Sequence, residues 1–274
     1  MFLLFIFLFN SVAWSLPASY DPTSIVFENN FEKQISRISR CNIRSTKNWV
    51  GQKILFLEDN NILFITDYMK INADGAPNAY GPYNTGLDLN ANAGYPNSSW
   101  WPSILVRDPN KPYKPFVRQY GKYEGYFISK TALFSPTHSD FDLDKYVDST
   151  KIPYLVYPGN FYSENGTGRL GDFGVVVNLR NNKISPFIIA DIGPRNAKLG
   201  EISIKLVENL GGTNVNPRNG SGQPDGEFLY IIFPFSSEEE MKDRWPISNE
   251  EIYRKSFSLL ERYESIEKLK KCIE

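Results

Sequence analysis

The chain has 274 residues, 41% of them hydrophobic, and a formal net charge of -1. With 30 Lys and Arg against 31 Asp and Glu, no global field draws in nucleic acid or an anionic membrane, so a charged partner must be met by a local patch. Two cysteines form no metal motif and a single histidine builds no His-rich zinc site; the length suits one large packed domain or two small ones.

The chain opens on "MFLLFIFLFNSVAWS". The apolar run from Phe2 to Phe9 is too short to span a bilayer, which takes ~20 residues. It fits the core of a secretory signal over residues 1–15, cut after Ser15, although no Lys or Arg precedes it; an uncleaved anchor or a buried N-terminal segment are the other readings. Export permits a disulfide between Cys41 and Cys272, which otherwise stay free. Residues 16–61 read as an extension that packs on the main domain. Within it "ENNFEKQISRISR" is a candidate short helix with Phe31, Ile35 and Ile38 on one face. "KILFLEDNNILFITDYMKI" holds two apolar runs around "EDNN", a hairpin.

From Asn72 to Pro115 the sequence is rich in Gly, Pro, Asn and aromatic residues, which excludes helix and leaves a long ordered loop or several short strands. Strand candidates follow: "GYFISKTAL", "YLVYPG", "FGVVVNL" and "PFIIAD", the last two separated by the turn "RNNK" at 180–183. "SIKLVENLGG" predicts a short helix capped by Ser203 and stopped at Gly211. "FLYIIFPF" is a further buried strand. Helical crossovers are missing, so the fold class is mainly β with small helices (α+β), a compact β-barrel rather than a parallel sheet. In the tail, residues 237–274, "SNEE" matches a capping box with Ser248 and Glu251. Ile252, Leu259, Leu260, Tyr263, Ile266 and Leu269 then recur near helical period, an amphipathic helix folded back onto the domain.

The stretch "FIIADIGPRNAKLGEIS" carries the chemistry. Asp191 ends an apolar strand, where dry surroundings raise a carboxyl's pKa and fit it to act as a general acid. Glu201 stands just before a short helix, whose dipole favours its negative charge and fits it to act as a base. Two carboxylates in different environments are what glycoside hydrolysis requires. A strand terminator and a helix-start charge are the plainer reading. His138 in "FSPTHSDFD" has no nucleophile elbow beside it, which argues against a serine triad.

"GDFGVVVNLRNNKISPFIIADIGPRNAKLGEISIKLVENLG" resembles the core of the fungal-type chitosanases, glycoside hydrolase family 75, and their bacterial relatives. The likeness extends through "MKINADGAPNAYGP", "GLDLNANAG", "GYFISKTAL", "YVDSTKIPYLVYPG" and "YIIFPFS", and covers residues 62–236 in one order. It implies inverting, endo-acting hydrolysis of β-1,4-linked glucosamine polymer, with Asp191 and Glu201 as the catalytic pair. It departs from the family at Ile202, where relatives usually have Gly, and in the long polar loop "GGTNVNPRNGSGQPDGE". "DIGP…GEIS…LG" also resembles the pattern of double-psi barrels, which implies a six-stranded double-psi-like barrel with an appended C-terminal helix.

On this reading the protein is a secreted monomer whose partner is a polysaccharide, with no nucleic acid and, after signal cleavage, no membrane. Two carboxylates suffice for acetal hydrolysis, so neither a metal nor a cofactor is expected. Asp74 in "NADGAP" either binds a glucosamine ammonium or makes an Asx-turn. Asp172 in "LGDFG" orients a catalytic group or, the favoured role, opens a strand; with Asp74 it is also counted among the acids lining the substrate cleft. Asp148 reads as a turn residue, and Asp88 in "GLDLN" stays undecided. Tyr80, Tyr83, Trp100 and Trp101 offer flat faces for sugars; adjacent tryptophans point to different sides, and Tyr80 and Trp101 are the candidates for the substrate side. Two other functions compete: a hydrolase or transglycosylase-like enzyme on peptidoglycan or another amino-sugar polymer, and a non-catalytic carbohydrate-binding barrel.

Overall fold

β-branched and aromatic runs bounded by Gly, Asn and Pro become strands in the computed structural model, which describes residues 42–237, 244–261, 269 and 272. Among the described residues nine strands are formed: β1 (Ile43–Trp49), β2 (Gln52–Leu57), β3 (Ile62–Thr66), β4 (Lys70–Asn72), β5 (Tyr154–Pro158), β6 (Phe173–Asn178), β7 (Ile184–Gly193), β8 (Glu201–Ser203) and β9 (Phe228–Phe233). Three α-helices accompany them: α1 (Gly159–Tyr162), α2 (Ile204–Asn209) and α3 (Asn249–Leu260). All strands join one mixed sheet in the order β1-β2-β3-β9-β6-β7-β5-β8-β4. The pairs β5/β7 and β4/β8 are parallel.

The mainly β, α+β class is as expected, but the six-stranded barrel is not. The sheet is open: β1 at one edge and β4 at the other do not pair. Closure needs two edges of matching length and tilt. Here β4 has three residues and β1 is exposed along most of its length. Residues 43–57, placed in the expected extension, supply β1 and β2 to this same sheet.

The expected hairpin forms, and the expected turn at 180–183 closes a second one. β2 and β3 pair around the Glu58–Asn61 turn, where Asn60 takes φ 68° and Asp59 Oδ1 accepts the Asn61 N–H at 3.2 Å. β6 and β7 pair around residues 179–183, with Asn182 at φ 59°. Asn tolerates this left-handed backbone because its short polar side chain bonds locally. The central strands β3, β9 and β6 are buried on both faces. Tyr230 stacks on Phe64 at 4.7 Å and meets Phe187 edge-on at 5.9 Å.

Ser203 caps α2 as expected, accepting the Leu206 N–H at 3.2 Å. Ser248 caps α3 by accepting the Glu251 N–H at 3.1 Å. The Glu251 carboxylate pairs forward with Lys255 at 3.3 Å. α3 lies on β6 and β7, with Ile252 wholly buried. The segment "GYFISKTAL" makes isolated bridges instead of a strand, Val117 with Phe127 and Leu105 with Ser129. The stretch from 73 to 153 is turn and loop with four short 3-10 helices, at Pro82–Asn84, Asn90–Ala93, Trp101–Ser103 and Leu143–Lys145, anchored by buried Ala76, Tyr80, Leu105, Phe127 and Leu133. Cys272 is disulfide-bonded. Cys41, the only other cysteine of the chain, lies outside the described residues, as do the expected signal at 1–15, the helix at 28–40, Tyr263 and Ile266. Among the described residues no helix is long and apolar enough to cross a membrane.

Candidate active site

Four strands at the β4 end of the sheet carry the polar cluster. Val156 of β5 stands opposite Asp191 of β7. β5 runs antiparallel to β8 with Leu155 opposite Ile202, which sets Val156 beside Glu201. Glu201 in turn stands opposite Lys70 of β4. The row Asp191, Val156, Glu201, Lys70 thus crosses four strands, and residues in one row share a face of the sheet. A Cβ placed on Gly193, two residues after Asp191, would lie 3.2 Å from Val156 Cγ1 and 3.7 Å from Glu201 Oε2, as one face requires. Asp191 and Glu201 are separated by two strand spacings of ~4.8 Å, so their Cα atoms stand about 10 Å apart.

A bulge aims Asp191. Leu155 pairs with Ile189, yet Val156 pairs with Asp191 and skips Ala190. Without the extra residue Asp191 would turn to the opposite face. Ala190 instead gives its carbonyl to the Leu133 N–H at 2.8 Å. One residue away, the Ala132 N–H donates to Asp191 Oδ1 at 2.9 Å.

Asn72 is the hub. Its Nδ2 donates to Glu201 Oε1 at 3.0 Å and lies 3.3 Å from Asp74 Oδ2. Its Oδ1 accepts the Asp74 N–H and the Tyr154 hydroxyl, each at 2.7 Å. The Asx-turn therefore belongs to Asn72, and it swings the Asp74 carboxylate inward. There Tyr80 donates its hydroxyl to Asp74 Oδ1 at 2.8 Å, and Ser129 Oγ stands at 3.4 Å. Gly75 follows at φ 76°, with space for a Cβ closed by Val147 O at 2.0 Å; only glycine takes that backbone in that gap. Lys70 Nζ donates to Glu201 Oε2 at 3.1 Å from a half-exposed side chain, and it marks where the cluster meets solvent.

Burial sets the electrostatics. It pushes the Asp191 carboxyl well above the usual carboxylate range, the neighbouring Asp74 charge adds to this, and the amides of Ala132 and Ile192 oppose it. Burial likewise pushes Asp74 up to about 7 against the Tyr80 hydrogen bond, with Glu201 adding to the rise. Tyr80 is raised by burial and by the Asp74 charge. Burial works to lower Lys70, but the Glu201 charge and hydrogen bond bring it out above an ordinary lysine. Asp191 and Asp74 thus hold protons beyond the range of ordinary carboxylates, while Glu201 faces an ammonium and an amide.

The expected residues divide. Asp191, Glu201 and Asp74 come together. Glu201 opens β8 and stands three residues before α2, so Lys70 and Asn72 act on it where the helix dipole was expected to. Tyr80 is buried with its hydroxyl on Asp74, a positioning residue and not a stacking face. Trp101 is 7% exposed, edge-on to Tyr95 with Arg107 over its ring, whereas Trp100 is 48% and Tyr83 98% exposed. Of these aromatic residues, the ones open to a sugar are the reverse of those chosen from sequence. Asp172 is wholly buried and accepts from the backbone amides of Arg169, Phe235 and Ser237 and from the Ser237 hydroxyl. It ties the start of β6 to the end of β9, the structural role. Asp148 accepts the Thr150 N–H and hydroxyl in a turn. Sequence reasoning missed Lys70, Asn72, Ser129 and Tyr154. The signal for two of them was in "KINAD", where Lys70, Asn72 and Asp74 alternate with apolar residues and so share a face.

A surface cavity of about 310 Å³ lies elsewhere, between Pro102, Arg107, Lys130 and Phe141, and holds none of these acids. Among the described residues no group of three or more His, Cys, Asp or Glu side chains is arranged to hold a metal ion. No family model matches the chain, and no curated protein matches it.

Proposed function

We propose that this chain is an inverting endo-glycosidase that cleaves β-1,4-linked glucosamine polymer, the chitosan class, outside the cell and as a monomer. The observation that carries the reading is the placement of Asp191 and Glu201 on either side of Val156, on one face and about 10 Å apart at Cα. Side chains that leave a sheet at that separation can hold their carboxyl groups ~6.5–9.5 Å apart, the interval that admits a water beside the sugar. The sequence resemblance over residues 62–236 points to the same chemistry.

In this mechanism Asp191, protonated because it is buried, gives its proton to the glycosidic oxygen as the C1–O bond breaks. Glu201 takes a proton from a water on the opposite face, whose oxygen bonds to C1. Lys70 and Asn72 hold the Glu201 oxygens in place. Burial is the main cause that keeps the proton on Asp191. Of the four aromatic residues weighed from the sequence, Tyr83 and Trp100 are the two exposed enough to stack on the polymer.

A panel of soluble polysaccharides with reducing-end detection tests the proposal. Chitosan should be cut, and Asp191→Asn and Glu201→Gln should each lower turnover by ~10²–10⁴-fold with the far-UV spectrum and melting temperature retained. Wild-type turnover in both variants would remove the pair from the mechanism. Cleavage of peptidoglycan alone would move the substrate to another amino-sugar polymer, and binding without cleavage would make the chain a carbohydrate-binding protein.

A further inference from the structure

Asp88 has no part in the mechanism above, and its setting is unusual. Its side chain is 4% exposed. Oδ1 accepts the Leu89 N–H at 2.7 Å and Asn92 Nδ2 at 2.8 Å. Oδ2 has no hydrogen-bond partner among the described residues, yet it is not sealed from solvent. The Asp88 charge acts on Asp74 and Tyr80, and Asp88 in turn feels Lys70 and Arg218. Its loop is hydrogen-bonded back to Ala79, the residue before Tyr80, whose hydroxyl sits on Asp74.

That loop is rigidly mounted. The Asp88 N–H donates to Ala79 O and the Leu87 N–H to Asn78 O, both at 2.9 Å. Gly86 allows the close approach, since a Cβ there would fall 2.3 Å from Ala79 O. From the long polar loop 211–227, Arg218 reaches over and donates to Gly86 O at 2.7 Å and to Asn84 O at 2.9 and 3.0 Å. Tyr83 and Asn84 are held at φ 59° and 57° in the same turn, a backbone that persists only where its surroundings impose it.

A buried carboxylate oxygen held this firmly, open on one side, calls for a cationic donor. The nearby cations are committed: Lys70 to Glu201, and Arg218 to backbone carbonyls. We propose that Asp88 Oδ2 receives the 2-ammonium group of a bound glucosamine unit, so that Asp88 is the residue that selects a free amine over an acetamide or a hydroxyl at that position. This rests on the glycosidase reading. A neutral group at the same place leaves the carboxylate without its counter-charge, and a site built for a polar partner discriminates against a substrate that lacks it.

Asp88→Asn is the informative variant. It keeps an oxygen for Leu89 and Asn92 and the same shape, and removes only the charge. The measurement is calorimetric binding of glucosamine hexamer and N-acetylglucosamine hexamer to Glu201→Gln, with and without Asp88→Asn; Asp191→Asn gives a second inactive background. The expected result is a loss of about 10–100-fold in affinity for the glucosamine hexamer, no comparable loss for the acetylated one, and an unchanged melting temperature. Equal glucosamine affinity in single and double variants would overturn the role of Asp88 and leave the glycosidase reading intact. Failure of both inactive backgrounds to bind glucosamine hexamer, with wild-type protein that cuts no chitosan, would overturn the reading and this proposal together.

Discussion

Replacing Asp74 by asparagine should flatten the pH dependence of stability. In the folded protein burial pushes this carboxyl from 3.8 up to about 7. Between those values the folded state keeps a proton that the unfolded chain has released. The contribution is therefore fully present below about pH 4 and is lost as pH rises through about 7. A shift of about 3 units at ~1.4 kcal/mol each is worth about 4 kcal/mol. For a domain of this size each kcal/mol moves the melting temperature by ~2–4 °C. About 1 kcal/mol of this is already gone at pH 4.5, so wild-type protein should melt roughly 6–12 °C lower at pH 8 than at pH 4.5, and the raised carboxyls of Asp191, Asp88 and Asp172 act in the same direction. The substituted side chain in Asp74→Asn would keep an oxygen for the Tyr80 hydroxyl, but its amide would meet Asn72 Nδ2, which now lies 3.3 Å from Asp74 Oδ2. Asn72 cannot flip to relieve this, because its own oxygen accepts from the Asp74 N–H and from Tyr154. The variant should start about 1–3 kcal/mol less stable in acid and lose most of that deficit by pH 8. Scanning calorimetry from pH 4.5 to 8 at fixed salt decides it. A wild-type melting temperature that climbs with pH across this window, or a variant with the wild-type slope, would refute the reasoning.

Ser203→Ala should destabilise by about 2–4 kcal/mol in urea titration, because this wholly buried hydroxyl accepts from Leu206 N–H and Tyr154 N–H and donates to Ile152 O; a loss under ~0.5 kcal/mol, the range of an ordinary surface substitution, would deny it that role. Chitosan binding should weaken as salt rises, since the attraction acts over a Debye length of only ~8 Å at physiological ionic strength; salt-independent binding, or tighter binding of an uncharged β-glucan, would count against a charged substrate. Tyr83→Ala should leave the melting temperature unchanged, its ring being 98% exposed, and should weaken polymer binding in a pull-down on insoluble chitosan. Retention equal to wild type would show that Tyr83 does not touch the polymer.

Local chemistry was legible where neighbours in sequence decide it. The hairpin turns at "EDNN" and "RNNK", and the caps Ser203 and Ser248, depend on residues within four positions, and they form. Asp191 and Glu201 were legible as neighbours because one short stretch carries both, although Asp191 lies within β7, which runs on to Gly193, and does not end it, and Glu201 is itself the first residue of β8. The barrel was not, since a local "DIGP…GEIS" pattern carries no information about which distant edges meet. Here β4 is too short to close the sheet. The bulge that skips Ala190 was also invisible, because its cause is the distant Leu133 amide that claims the Ala190 carbonyl. The same holds for Tyr80 and Trp101: an aromatic side chain reads alike in sequence whether its neighbours in the fold bury it or leave it open. Asp74 shows the intermediate case, its turn read correctly in kind but assigned to the wrong residue, because Asn72 two positions earlier accepts the hydrogen bond.

The central claim is that Asp191 and Glu201 work across a water on opposite sides of a glucosamine unit. Proton NMR of the first minutes of wild-type chitosan hydrolysis, before mutarotation mixes the products, tests it most directly. The α-anomer should accumulate first from the β-linked polymer. First appearance of the β-anomer, or no new reducing ends at all, would contradict the claim.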